Sequence, residues 1–197
     1  MESAGVIIDI IDNGGQWTHR EWRMLRYLGV ETQILSNTTP VTDIRNVNGL
    51  ILSGGAARVG LTGELGNCGE YLQLDVPILG ICAGHQFMAR HYGGAAGEAP
   101  RPEFGEARIN LIDGGGALFT GTPDEQTVWE SHNDEVTELP PGFTVTAKSE
   151  SCEVQAMENE DLSRFGLQFH PEVNDTEFGN VIFENFVDVC KRAGNAD

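Results

Sequence analysis

Apolar positions in the first half of the chain fall into short continuous runs. VIIDII (6–11), GLIL (49–52) and VPILGI (76–81) are each bounded by polar or glycine-bearing turns. Such runs are the mark of strands buried on both faces. ETQIL (31–35) reads as a further strand. Between the first two strands, Trp17, Met24, Leu25 and Leu28 repeat at helical spacing, and Gly29 ends the pattern. Another helical pattern follows VPILGI and starts near Gly84. Strands alternating with helices predict a parallel sheet with helices on both faces.

The second half changes rhythm. EARINLI (106–112), QTVWE (126–130), FTVTAK (143–148), EVQAM (153–157) and FGLQF (165–169) are short strands, separated by turn signals such as DGGG and LPPG. A last helix places Phe178, Val181, Ile182, Phe186 and Val189 on one stripe. The expected fold is an open α/β sheet, mostly parallel, with a small antiparallel extension. With 197 residues, no internal repeat and no linker, one domain over 1–197 is expected.

Composition narrows the function. Hydrophobic residues make up 40% of the chain, enough for a globular core. No apolar run approaches the roughly 20 residues of a membrane helix, and MESAG has no signal-peptide pattern, so a cytoplasmic protein is expected. The net charge is −18, from 30 acidic residues against 12 basic, which repels phosphate backbones and argues against nucleic acid as a partner. Only Lys148 and Lys191 are lysines and neither follows a glycine, so a phosphate-cradling G-x-x-x-x-G-K-[ST] loop is absent. An acidic, lysine-poor surface suits a salt-rich cytoplasm, where screening relieves self-repulsion.

Four cysteines stand at 68, 82, 152 and 190, with no C-x-x-C pair and no zinc-type spacing to histidine, so neither a disulfide framework nor a metal site is expected. Cys68, Cys152 and Cys190 read as small buried thiols. Cys82 differs, because it lies in GICAGHQ (80–86), between an apolar strand and a helix. G-x-C-x-G there has the layout of a nucleophile elbow. A sharp strand-to-helix turn strains the nucleophile's backbone and demands glycine on both sides. It also sets the thiol at a helix N-terminus, where the dipole favours the thiolate. A core cysteine beside packing glycines would leave the same local pattern.

The base comes from FGLQFHPEV. Residues two apart on an extended chain face the same way, so His170 and Glu172 can point to one side, with Pro171 fixing the backbone between them. Glu172 would orient one ring nitrogen of His170 and the other would face Cys82. On its own, H-P-E also fits a solvated strand end. The turn SGG (53–55) supplies bare backbone beside the thiol, and the amides of Gly55 and Ala83 are the expected oxyanion donors. As a local motif SGG fits a simple turn equally well. His19 is expected to face a partner or the core, away from the chemistry.

Together DNGGQ (12–16), LSGG (52–55), GICAGHQ (80–86), SHNDEV (131–136) and QFHPEV (168–173) resemble the class I glutamine amidotransferase family. Within it, the resemblance is to the stand-alone glutaminase subunits that serve GMP synthesis in archaea, and it runs from about residue 6 to 190. It implies a flavodoxin-like sheet and a thioester mechanism on glutamine, with Cys82 as nucleophile, His170 as acid–base and Glu172 as its orienter. It also implies glutamine contacts at Gly54, Gln86, Ser131, His132, Asn133 and Asp134. Gln86 would otherwise be an ordinary helix residue, and 131–134 a surface loop.

No cofactor is implied for this chain. ATP and magnesium would belong to a separate XMP-amidating ATP-pyrophosphatase subunit, because the S-G-G-V-D-S loop of that activity is missing here. A basic face on that partner would match the acidic surface, and salt would then slow their association. Two positions depart from the family's usual pattern, Ala56 where proline follows SGG and Ala83 after the nucleophile. Glutaminase subunits of anthranilate or aminodeoxychorismate synthase are the rival within the family, but those carry P-G-P-G in place of SGG and serine after H-P-E. A non-catalytic, chaperone-like relative with a cysteine elbow would lack the His-x-Glu pair.

Overall fold

The computed structural model describes residues 5–194. Its nine strands form one sheet in the order β2-β1-β3-β4-β9-β8-β7-β5-β6. The first five in that order, β1 (Ile8–Asp12), β2 (Ile34–Ser36), β3 (Gly49–Leu52), β4 (Ile78–Ile81) and β9 (Arg164–Leu167), are mutually parallel. Their order is that of flavodoxin-like sheets, in which ligands sit beyond the carboxyl ends of the strands.

Alternate residues of these strands feed two cores. Ile8, Ile10, Ile51, Leu79 and Ile81 pack with Leu25 of α1 (Thr18–Tyr27) and with Ile182, Phe183 and Phe186 of α5 (Gly179–Ala193). Ile11, Leu50, Leu52 and Ile78 face the other way, against α2 (Val59–Thr62), α3 (Cys68–Tyr71) and α4 (Ala83–His91). Burial on both sides explains why these strands read as unbroken apolar runs.

The second half departs from expectation in two ways. FGLQF reads with the antiparallel strands, but β9 lies parallel to β4, with Ile81 beside Leu167. Its other edge pairs antiparallel with β8 (Ala156–Asn159), so β9 is where the two halves of the sheet join. Local pattern carries no information on strand direction. The antiparallel part is also larger than a small extension. β5 (Ala95–Leu111) and β6 (Glu125–Glu138) form a long hairpin that continues through β7 (Thr144–Ser149) and β8. EARINLI marks only the later part of β5, and Pro100 and Pro102 nearer its start fall inside the register shift between Glu98 and Glu103, where pairing lapses.

The stripe of α5 is also rotated from the expected one. Ile182, Phe183, Phe186, Val187 and Cys190 are buried, whereas Phe178 is 38% exposed at the N-cap with φ 57°.

Candidate active site

β4 and β9 end side by side, and the two key turns leave the sheet there. Cys82 follows Ile81 directly, and its amide donates to the Leu167 carbonyl at 2.7 Å. Its backbone sits at φ 50°, ψ −103°, a conformation that costs on the order of 1–3 kcal/mol and persists only where the surroundings enforce it. The two glycines do the enforcing. A Cβ on Gly84 would strike the Leu52 carbonyl, and one on Gly80 would stand 2.7 Å from the Gly84 carbonyl carbon. The elbow anticipated from GICAGHQ is therefore real. Ala83 opens α4, so its amide has no carbonyl one turn back in the helix to bind.

His170 stands three residues beyond Leu167. Its Nδ1 lies 2.7 Å from Glu172 Oε1, its amide donates to the Trp129 carbonyl, and its carbonyl accepts from Thr176 Oγ1 at 2.7 Å. Trp17 packs edge-on against the imidazole, ring centroids 4.5 Å apart. Burial pushes the His170 pKa down. The negative charge of Glu172 and its hydrogen bond to Nδ1, with Cys82 nearby, outweigh burial and hold it well above the usual histidine value. Cys82 and His170 face each other over Gly54, whose Cβ, were there one, would lie 3.0 Å from His170 Cε1 and 3.5 Å from Cys82 Cβ.

The other three cysteines are also buried and free. Burial pushes the Cys68 thiol up to about 12 and those of Cys152 and Cys190 higher still. They are inert packing groups, as expected.

The turns after β1 and β3 stack backbone on backbone. A side chain on Gly15 would lie 2.6 Å from the Gly54 carbonyl oxygen, and one on Gly55 would strike the Asn13 carbonyl. Asn13 ties the turns further: its amide donates to Ser53 Oγ at 3.0 Å and its Nδ2 to the Ser53 carbonyl at 2.8 Å. The cavity these turns enclose measures about 270 Å³ and reaches Cys82, Ala83, Gly54, Gly55, Gln86, His170 and Glu172. That is slightly below the usual range of about 300–1,000 Å³ for ligand pockets, as a small metabolite requires.

Ser131, His132, Asn133 and Asp134 also line the cavity, though not as a loop. They belong to β6, and the Ser131 carbonyl faces Cys82 Sγ at 3.9 Å. Their side chains divide. Asn133 is exposed, Asp134 is bound by the Arg58 guanidinium at 2.6–3.0 Å, and His132 turns its Nε2 into a buried cluster with Glu103. Gln86 donates to the Asp134 carbonyl at 2.6 Å and so anchors β6 to α4. Gln168 Nε2 approaches Cys82 Sγ at 3.7 Å. His19 is exposed on α1 and does not line the cavity.

Three residues of the site escape a reading of motifs. Trp17 reads as a core position of α1. Arg58 follows the SGG turn by three residues and carries no motif of its own. Glu21 lies fully buried on α1, lines the cavity beside Glu172, and has its Oε2 without a partner. A charged residue at a helical position otherwise facing the core is the signal that finds it.

A strained cysteine opposite a carboxylate-held imidazole, over a cavity walled by bare backbone, marks the class of enzymes that cleave amides through a thioester on an α/β sheet. Residues 9–190 match the family Glutamine amidotransferase class-I, and the chain belongs to that family. It is 48% identical to a subunit of the glutamine-hydrolyzing GMP synthase of Thermococcus kodakarensis, over 93% of this chain and 98% of that one. The protein of the same name from Haloarcula marismortui is 46% identical, over 93% and 94%. A crystal structure from Thermoplasma acidophilum, of a protein named for the same GMP synthase component, superposes with a TM-score of 0.92 at 43% identity, covering 97% of this chain and 96% of that one.

Proposed function

We propose that the chain is the glutaminase subunit of a GMP synthase, releasing ammonia from glutamine for a separate ATP-dependent subunit that aminates XMP. The observation that carries the chemistry is the pairing of Ile81 with Leu167, which sets the Cys82 elbow and the His170–Glu172 pair at one sheet edge.

Cys82 Sγ gives its proton to His170 and attacks the carboxamide carbon of glutamine. The oxyanion so formed takes hydrogen bonds from the Gly55 and Ala83 amides. His170 passes the proton to the departing nitrogen, and ammonia leaves a γ-glutamyl thioester on Cys82. Water, deprotonated by His170, then opens the thioester to glutamate and restores the thiol. Glu172 keeps Nδ1 protonated and the ring aligned throughout. The Ser131–Asp134 segment and Gln86 form the wall that receives the amino and carboxylate end of the substrate.

Magnesium, ATP and XMP are handled by the partner, and the pair works in the cytoplasm. The relatives of matched length named for GMP synthesis favour this reading over the anthranilate and aminodeoxychorismate one. Among the described residues no helix is long and apolar enough to cross a membrane.

The test combines this chain with a purified XMP-amidating subunit, ATP, magnesium, XMP and glutamine. GMP should form, and Cys82→Ala should abolish glutamine-dependent synthesis while ammonia-dependent synthesis by the partner persists. GMP formation from glutamine by the Cys82→Ala protein would refute the mechanism. Transfer to chorismate in place of XMP would refute the assignment.

A further inference from the structure

Behind the substrate wall lies a side-chain cluster that the glutaminase chemistry does not use. Glu103 of β5 pairs directly across the antiparallel ladder with His132 of β6. Glu130 lies two residues before His132 and therefore projects from the same face of β6. One ligand atom from each, His132 Nε2 and a carboxylate oxygen of Glu103 and of Glu130, can be chosen so that all three lie within 4.8 Å of one another. No spacing rule finds this triad, because one member comes from the neighbouring strand.

We propose that Glu103, Glu130 and His132 bind a divalent first-row metal ion, of the manganese or zinc type, that clamps β5 to β6. The imidazole is already set as a ligand. His132 Nδ1 lies 3.0 Å from the Asp134 backbone carbonyl, an oxygen that only accepts, so the Nδ1 proton is fixed there. Backbone carbonyls hold ligating histidines in this way, with Nε2 turned to the ion. Here Nε2 faces Glu103 Oε2 at 2.9 Å and Glu130 Oε2 at 3.4 Å. Ligands about 2.0–2.2 Å from an ion stand about 2.8–3.6 Å apart at octahedral or tetrahedral angles, and both separations fall in that span.

Glu130 supplies the independent sign. Its side chain is fully buried, and neither carboxylate oxygen has a hydrogen-bond partner. An ionised carboxyl buried with both oxygens unserved is costly unless a cation meets it. Glu103, by contrast, is held in place. Ser149 Oγ donates to its Oε1 and Gln155 Nε2 to its Oε2, each at 2.8 Å, the outer support that metal ligands receive. Gln155 Oε1 is also buried without a partner beside this cluster. Two carboxylates with one imidazole suit manganese, iron or zinc better than calcium or magnesium. The ion would fix β6 one residue from the Ser131 carbonyl, and so hold the substrate wall from behind. The inference is independent of which acceptor receives the ammonia.

The test uses the full chain, stripped with a chelator and titrated separately with Mn²⁺ and Zn²⁺. Calorimetry should show one saturable site per chain for at least one ion, and that ion should raise the melting temperature. Mn²⁺, where it binds, should also lose its free-ion paramagnetic resonance signal. Glu130→Gln and Glu103→Gln, which keep size, should each weaken binding by about 100-fold or more and remove the thermal shift. Cys82→Ala should bind as the parent does, which separates this site from the catalytic thiol. Absence of saturable binding of either ion, as a merely shared proton in the cluster would give, overturns the proposal. So does binding that survives both glutamine substitutions or disappears with Cys82→Ala.

Discussion

Leu167 is the ladder partner of Ile81, and that one pairing delivers a cysteine and a histidine 88 residues apart in the chain to a common edge of the sheet. Both strands are buried and short, so neither can slip without turning its apolar side chains out of its own core. The placement of the thiol beside the imidazole is thus fixed by sheet register, and the loops beyond it only aim the side chains. Gly54 is the third party, because it keeps the space between the two groups bare. Gly54→Ala would put a methyl group 3.0 Å from His170 Cε1, and the ring cannot retreat from Trp17 and Glu172. Displacement on this scale costs about 100-fold in turnover while the fold survives. Steady-state glutaminase assays with a circular dichroism control check it; an unchanged kcat would mean that the ring moves freely.

Glu172→Gln tests the orienting pair. The variant amide offers Nδ1 of His170 either its own N–H or a neutral oxygen, so the favoured tautomer and the positive charge on the ring both lose support. The expected result is a fall in kcat of about 10²–10⁴-fold, with KM for glutamine little changed. A parallel rise in KM would place Glu172 in substrate binding instead.

The elbow, the H-P-E turn and the buried strands are legible in the sequence because each rests on local rules: glycine at a strained turn, period-two facing, unbroken apolar runs. Strand direction in the second half is hidden. FGLQF looks the same whether it lies parallel or antiparallel, and only its partner β4 decides. The segment 131–134 reads as a loop because Ser, Asn and Asp are turn residues, yet β5 pairs with it across the hairpin. Arg58 and Glu103 are invisible for a related reason, since their partners Asp134 and His132 lie 76 and 29 residues away.

Gly84→Ala examines the elbow as architecture. The new Cβ would run into the Leu52 carbonyl at the end of β3, where Leu52 is paired on both sides with Ile11 and Gly80, so neither side can yield cheaply. Overpacking of this kind costs about 1–3 kcal/mol, equivalent to a melting point several degrees lower for a chain of this length. Activity should fall as well, because α4 must shift and carry Cys82 with it. Differential scanning calorimetry alongside glutamine turnover reads both effects, and a change in neither would contradict the close packing of α4 on β3.

Glu21 makes a prediction about pH. Burial, helped by the charge of Glu172 and opposed by that of His170, raises its pKa well above the ordinary carboxylate value. The fold therefore prefers Glu21 protonated. Its contribution to stability is complete below the unfolded-state pKa of about 4.3 and is lost as the pH climbs through the raised folded value. Across that window the unfolded chain releases a proton that the native one keeps. Glu21→Gln imitates the protonated form at every pH. It should match the parent near the unfolded-state pKa, provided both remain folded, and gain on it steadily as the pH rises, where the parent alone bears the cost of a buried acid. Chemical denaturation of both proteins at matched ionic strength gives the difference curve. A flat curve would mean that Glu21 is ionised in the native state, with a cation or water reaching the oxygen that the fold leaves unserved.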